Sequence, residues 1–147
     1  MGIVNWFTND LSTEERTLTL DLLSVAIADQ EFCEEEKDAI LKVCELENIS
    51  PVQLMDSIRD KKTGAKVLHS MEEKKNYLLH LVRMIIADGK YSSLELRVIE
   101  IISKNLDVSP VLLLSFILEE IKNKKISSDE GINIIDCFVK HFITVGR

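Results

Sequence analysis

Four carboxylates at a repeated spacing are the residues of this chain best suited to chemistry. Asp29 precedes Glu36 by seven residues, and Asp88 precedes Glu95 by the same interval. In each pair the two acids flank a short turn between apolar segments. Carboxylate oxygens are the ligands that hard cations such as Ca²⁺ and Mg²⁺ prefer. If the two turns meet, these four side chains form a candidate site for a divalent cation.

Helix capping offers a structural explanation of the same turns. Gly89 can adopt the left-handed conformation that ends a helix, and Ser92 with Glu95 has the spacing of a capping box. Asp88 can accept hydrogen bonds from loop amides. However, Asp29 and Asp88 stand at the carbonyl end of a helix, where the helix dipole disfavours a negative charge. Loop amides, a nearby basic residue or a bound cation would compensate them, and the sequence leaves these alternatives open.

These turns belong to a segment that occurs twice. Residues 22–54 align with residues 81–113 at an offset of 59 positions, and ten of the 33 aligned residues are identical. The identities include an Ile-Ala-Asp before each turn, the Glu after it and a later Ser-Pro-Val. The sequence therefore predicts two related helical units, at about 12–59 and 70–123. Packing about a pseudo-twofold axis would bring their turns together.

Capping signals and apolar spacing predict one all-α domain of about seven helices. Ser12 and Ser70 each stand three residues before a Glu, as at the start of a capped helix. Ser-Pro at 50–51 and 109–110 favours two further helix starts. The predicted helices are about 12–29, 34–46, 51–59, 70–86, 93–105, 110–123 and 128–142. The last of them is expected to bury Ile132, Ile134, Ile135, Phe138, Val139 and Phe142.

Composition indicates a globular protein and disfavours both nucleic-acid binding and a fold held by disulfide bonds. The 147 residues are 46% hydrophobic, with only 5 Gly and 2 Pro, and are enough for one core without disulfide bonds. Lys and Arg number 18 against 25 Asp and Glu, and the net charge of −7 repels nucleic acid. Cys33, Cys44 and Cys137 have no Cys-x-x-Cys spacing, which favours free thiols. We therefore expect a cytoplasmic protein.

The first ten residues, MGIVNWFTND, form a short apolar head. We expect it to pack on the body of the protein. The alternative is a membrane-surface contact through Trp6 and Phe7, which the lack of Lys and Arg in these ten residues disfavours. No run of the sequence approaches the ~20 apolar residues that span a bilayer.

The duplicated turn resembles that of the tellurite-resistance TerB family, which also occurs as the N-terminal part of some DjlA-type membrane co-chaperones. The resemblance is carried by Ile-Ala-Asp-Gly at 86–89 with Ser92 and Glu95, and a looser copy is Ile-Ala-Asp at 27–29 with Glu36. It covers about residues 12–142. Gln30 stands where the family usually has Gly, so the first copy departs from the pattern.

This resemblance implies an all-helical domain of two related halves and an association with tellurite or chemical-stress responses. It also implies an acidic metal site, which would map to Asp29, Glu36, Asp88 and Glu95. The family is not identified with a defined catalysis, so the resemblance implies no reaction.

Three hypotheses about function follow. The preferred one is a non-enzymatic cytoplasmic module, similar to TerB, that binds a protein partner and a divalent cation, Ca²⁺ or Mg²⁺, at the acidic turns. The second is an interaction scaffold whose acidic turns are only structural. The third, a metal-dependent hydrolase, is least favoured because the sequence has no His-containing ligand set, nucleophile elbow or phosphate loop.

Overall fold

Six α-helices account for most of the chain in the computed structural model, which describes residues 12–46, 68, 70–89 and 92–145. No β-strand occurs in these ranges, so the predicted all-α class is confirmed. The helices are α1 (Thr13–Ala28), α2 (Glu34–Leu46), α3 (Met71–Asp88), α4 (Ser93–Asn105), α5 (Pro110–Lys122) and α6 (Ser128–Val145). The predicted helix at 51–59 and the apolar head at 1–10 lie outside the described residues.

Serine side chains begin the helices where the sequence predicts. Ser12, Ser70 and Ser92 are N-caps of α1, α3 and α4, and each forms a complete capping box with the Glu three residues later. Each box satisfies two backbone N–H groups that the helix itself leaves without acceptors. Ser109 caps α5, and Pro110 occupies its first turn, where a missing N–H has no cost. Capping by these serines therefore fixes the residue at which each helix begins.

The chain divides into two compact units, Met1–Leu68 and His69–Arg147. The predicted repeat units at 12–59 and 70–123 fall one in each. Helices α1 and α2 belong to the first unit, in which Leu23, Ala26 and Ile40 are fully buried. Helices α3 to α6 belong to the second.

In the second unit, each helix packs both on its neighbour in the chain and on a helix two positions away along it. Helix α3 packs on α4 and α5, and α6 packs on α4 and α5. Its fully buried large side chains include Leu78, Leu79, Leu81, Ile85, Ile99, Ile102 and Phe138. Burying such a side chain removes apolar surface from water, and each one contributes about 1.5–3 kcal/mol to the stability of the folded state.

Helix α6 differs from its prediction in which apolar residues it buries. Ile134 and Phe138 are buried as expected, whereas Ile132 and Val139 are exposed to 61% and 37%. The apolar residues of α6 occupy two neighbouring faces, and only one of them points into the core. A helical spacing of apolar residues does not distinguish these faces, because many apolar residues remain on protein surfaces.

Among the described residues, no single helix has the length and apolar character needed to cross a membrane. Within the same ranges, α4 and α5 taken together, across a bend of 108°, meet that requirement by length and composition alone. Both helices turn apolar faces into the interior, where Ile99, Ile102, Leu113 and Ile117 are buried.

Helices α1, α4 and α5 are each followed, two residues after their last residue, by a residue other than glycine in the left-handed conformation. These residues are Gln30, Asp107 and Lys124, with φ between 59° and 62°. After α1, the Gln30 N–H donates to Ile27 O at 3.1 Å and the next N–H donates to Ala26 O at 2.9 Å. This is the Schellman arrangement, for which glycine is the usual residue because it has no Cβ.

We expect Gln30→Gly to raise the free energy of unfolding by about 0.5–1 kcal/mol, because relief of left-handed strain exceeds the entropy that glycine adds to the unfolded chain. Lys124→Gly should behave alike, and Asp107→Gly should gain less because Asp tolerates this conformation. Urea denaturation followed by circular dichroism measures the change. The control is Gln30→Ala, which shortens the side chain but keeps Cβ; an equal gain from alanine would contradict the explanation.

Candidate metal site at the acidic turns

The first acidic turn follows α1 and lies on the surface. Asp29 and Gln30 are exposed, and Glu36, in the first turn of α2, is partly exposed. Glu36 Oε1 accepts a hydrogen bond from the Cys33 N–H at 3.0 Å. Glu36 therefore makes half of a capping box. Because Asp29 is exposed, water can hydrate its charge, which explains how a carboxylate is tolerated at the carbonyl end of the helix dipole.

Phe32 fixes this turn to the rest of the protein. The ring is only 4% exposed, so it anchors the turn on the core. The equivalent Tyr91 lies outside the described residues. Cys33, at the position of the Ser92 N-cap, is an exposed free thiol.

The second acidic turn has a glycine at the equivalent left-handed position. Gly89 is left-handed, at φ 77°, and its N–H donates to Ile86 O at 3.0 Å, the bond that Gln30 makes to Ile27 in the first unit. An added Cβ at Gly89 would meet no atom within 4 Å, so the backbone conformation, and not close packing, favours glycine there.

Glu95 is held at the start of α4 by Ser92. Its Oε1 accepts hydrogen bonds from the Ser92 N–H at 3.2 Å and the Ser92 Oγ at 3.0 Å. In return, the Glu95 N–H donates to Ser92 Oγ at 3.1 Å. The sequence therefore identified this capping box correctly.

Burial separates Glu95 from the other capping-box glutamates. Glu95 is 4% exposed, whereas Glu15 and Glu73 are partly exposed in boxes of the same composition. Its Oε2 is buried and has no hydrogen-bond partner among the residues that the structure describes. Burying a carboxylate oxygen without a partner is costly. Capping accounts for Oε1 of Glu95 but not for the position of Oε2.

The four predicted ligands therefore differ in their surroundings. Asp29 and Glu36 belong to the first unit and Glu95 to the second. Asp88 is the last residue of α3, and its side chain lies outside what the structure describes. Within the described part of the chain, no three His, Cys, Asp or Glu side chains are grouped so as to hold a metal ion. The four-carboxylate site stays a prediction.

An ion pair between a buried carboxylate and an exposed guanidinium in the second unit was not predicted from the sequence. Arg83 Nη1 on α3 lies 2.5 Å from Glu120 Oε2 on α5, and the Glu120 side chain is 5% exposed. The sequence does contain a signal, because Glu120 continues the buried helical spacing of Leu113 and Ile117. A carboxylate on an apolar helix face indicates a partner that neutralises it.

Two further charged contacts join helices of this unit. Lys75 Nζ donates to Glu119 Oε1, and this hydrogen bond raises the pKa of Lys75 and lowers the pKa of Glu119. On the other side, Glu100 Oε1 lies 3.0 Å from both Arg97 Nη1 and His141 Nε2. The His141 side chain is mostly buried, and its contact with Glu100 joins α6 to α4.

The comparisons with known proteins add no relatives to this picture. No family model matches the chain, and neither a curated protein nor a solved structure is similar to it. The resemblance to TerB therefore rests on the residues of the two turns.

Proposed function

We propose that this chain is a non-enzymatic helical module, similar in architecture to TerB, that binds a protein partner and holds a divalent cation at its second acidic turn. The observation that supports the cation is the buried Oε2 of Glu95, which has no partner among the described residues. A hard cation such as Ca²⁺ or Mg²⁺ would compensate a buried carboxylate oxygen, and it would take its remaining ligands from other oxygens and water.

The two acidic turns differ in what they offer such an ion. Glu95 is buried and held in place by Ser92, whereas Glu36 is partly exposed and Asp29 is exposed. A carboxylate fixed by a second hydrogen bond presents a pre-organised ligand. The second turn is therefore the primary site in our proposal. Asp88 would be a further ligand by the repeat, and Asp29 with Glu36 would form a weaker site.

Calorimetric titration with Ca²⁺, Mg²⁺, Mn²⁺ and Zn²⁺ tests the proposal. We expect binding heat with the wild-type protein and none with Glu95→Gln. The matched control is Glu73→Gln, which alters the same kind of capping box without a buried oxygen. Both variants should lose no more than about 1 kcal/mol of stability. Binding that is absent in the wild type, or equally weak in both variants, would remove the cation and leave a scaffold.

The scaffold without metal is the second candidate. It is supported by the capping box, because Ser92 and Glu95 behave at the helix start as Ser12 and Glu15 do. It predicts that Asp88→Asn and Glu95→Gln change stability without changing any ligand affinity. Association with tellurite or chemical stress is proposed from the resemblance alone, and slower growth of a deletion strain on tellurite would support it. The cytoplasmic location is likewise a proposal.

A further inference from the structure

Helices α5 and α6 carry apolar side chains on the side that does not face the core. On α5, Val111 and Leu118 are exposed to 76% and 56%. On α6, Ile132, Val139 and Ile143 are exposed to 61%, 37% and 74%. The intervals of 7 and 4 residues along α6 place its three residues on one helix face. We call these five residues the outer apolar face.

The contact between the two helices, combined with helix geometry, places their exposed residues on the same side. A Cβ on Gly131 of α6 would lie 2.3 Å from Ile121 Cδ1, so this side of α5 is in contact with α6. Leu118 follows Ile121 around α5 in the direction away from the buried Leu113 and Ile117. On α6, Ile132 and Val139 likewise lie beyond the Gly131 side, away from the buried residues. The outer apolar face is therefore continuous across the helix pair.

A salt bridge borders this face on α6. Asp136 lies between Ile132 and Val139 on the helix surface, and its Oδ2 is 2.9 Å from Lys140 Nζ. Both side chains are exposed, at 55% and 75%. The hydrogen bond from Lys140 to Asp136 raises the pKa of Lys140. Because the acid and the base are four residues apart, two antiparallel copies of α6 can place the acid of each opposite the base of the other.

We propose that the outer apolar face binds a second copy of this chain, with the two α6 helices antiparallel. A twofold axis near residue 138 places Asp136 of each copy opposite Lys140 of the other, because both are two residues from the axis. The same register places Ile132 of each copy opposite the helix end that bears Ile143 of the other. Charge and apolar surface are therefore matched by one arrangement, as a symmetric interface requires.

The size of the face indicates a weak dimer. Ile132 and Ile143 are separated by about 16 Å along the helix, and two helices at the usual spacing give a patch on the order of 300 Å². A standard stable interface buries about 800 Å² from each partner. The net charge of −7 on each copy also opposes association. We therefore expect a dimer whose population rises with protein concentration. This inference goes beyond the proposed function and requires no cation.

Sedimentation equilibrium of the full chain, from about 10 μM to about 1 mM, tests the proposal. The wild-type protein should shift from monomer to dimer over this range, and Ile143→Glu should raise the dissociation constant at least about tenfold. The matched control is Asn76→Glu, which adds the same charge at an exposed position of α3, outside the outer apolar face, and should leave association unchanged. A wild-type chain that stays monomeric, or a dimer that Ile143→Glu does not weaken, overturns the proposal.

A charge exchange tests the antiparallel register. Asp136→Lys and Lys140→Asp should each weaken the dimer about tenfold, because each places like charges opposite one another. The double variant Asp136→Lys/Lys140→Asp restores both pairs and should recover association to within about threefold of the wild type. Circular dichroism confirms that these surface variants fold. Single variants that associate normally, or a double variant weaker than both, contradict the arrangement.

Discussion

Replacing Phe138 with alanine should lower the free energy of unfolding by about 3–5 kcal/mol. Phe138 is fully buried on α6, and its ring stacks on Phe142 at a centroid distance of 5.7 Å. Removing the ring leaves a cavity that close-packed helices fill only in part, so the lost transfer energy and the lost contacts add. Because small proteins are stable by only about 5–15 kcal/mol, this single change approaches the limit for folding.

Guanidinium denaturation followed by helical circular dichroism measures this effect. Asn133→Ala is the control, since it shortens an exposed side chain of the same helix and should change stability by less than about 0.5 kcal/mol. Phe138→Leu should lie between the wild type and Phe138→Ala, because leucine fills part of the space. A loss below about 1 kcal/mol for Phe138→Ala would show that α6 does not pack on the core as described.

Replacing Arg83 with methionine should cost about 2–4 kcal/mol, because it leaves the carboxylate of Glu120 buried without its partner. The opposite change, Glu120→Leu, should cost less, since the Arg83 side chain is 43% exposed and can be hydrated once it is released. This asymmetry follows from the different burial of the two ions.

A double-mutant cycle measured by thermal and chemical denaturation tests the asymmetry. The variant Arg83→Met/Glu120→Leu removes both charges and should be more stable than Arg83→Met alone, because no buried ion remains. Arg97→Met serves as a comparison, since its partner Glu100 is 20% exposed and keeps the contact with His141. Equal losses from Arg83→Met and Glu120→Leu would mean that water reaches Glu120 freely.

Local signals predicted the helices well. Ser12, Ser70 and Ser92 mark capped starts, and α2 and α4 have the predicted bounds of 34–46 and 93–105. Left-handed Gly89 was also expected. These features depend on backbone groups within one helical turn, so the residues that decide them are adjacent in the sequence.

Burial was less predictable, because it depends on residues far apart in the chain. Ile132 and Val139 match the helical spacing of a core face, yet they are exposed. Glu95 and Glu120 would be placed on the surface by their type, yet both are buried. The sequence indicated that Glu95 caps α4. Only the position of α4 among its neighbours shows that one oxygen of Glu95 is cut off from water.

The short turns between consecutive helices of the second unit also affect how it reaches its structure. Only residues 89–92, 106–109 and 123–127 separate α3 from α4, α4 from α5 and α5 from α6. Bringing neighbouring helices together therefore closes small loops, for which the entropy loss is modest. Helical proteins dominated by such contacts fold within microseconds to milliseconds. The unit that contains Glu95 and the outer apolar face should thus form early and leave its apolar surfaces only briefly open to misassembly.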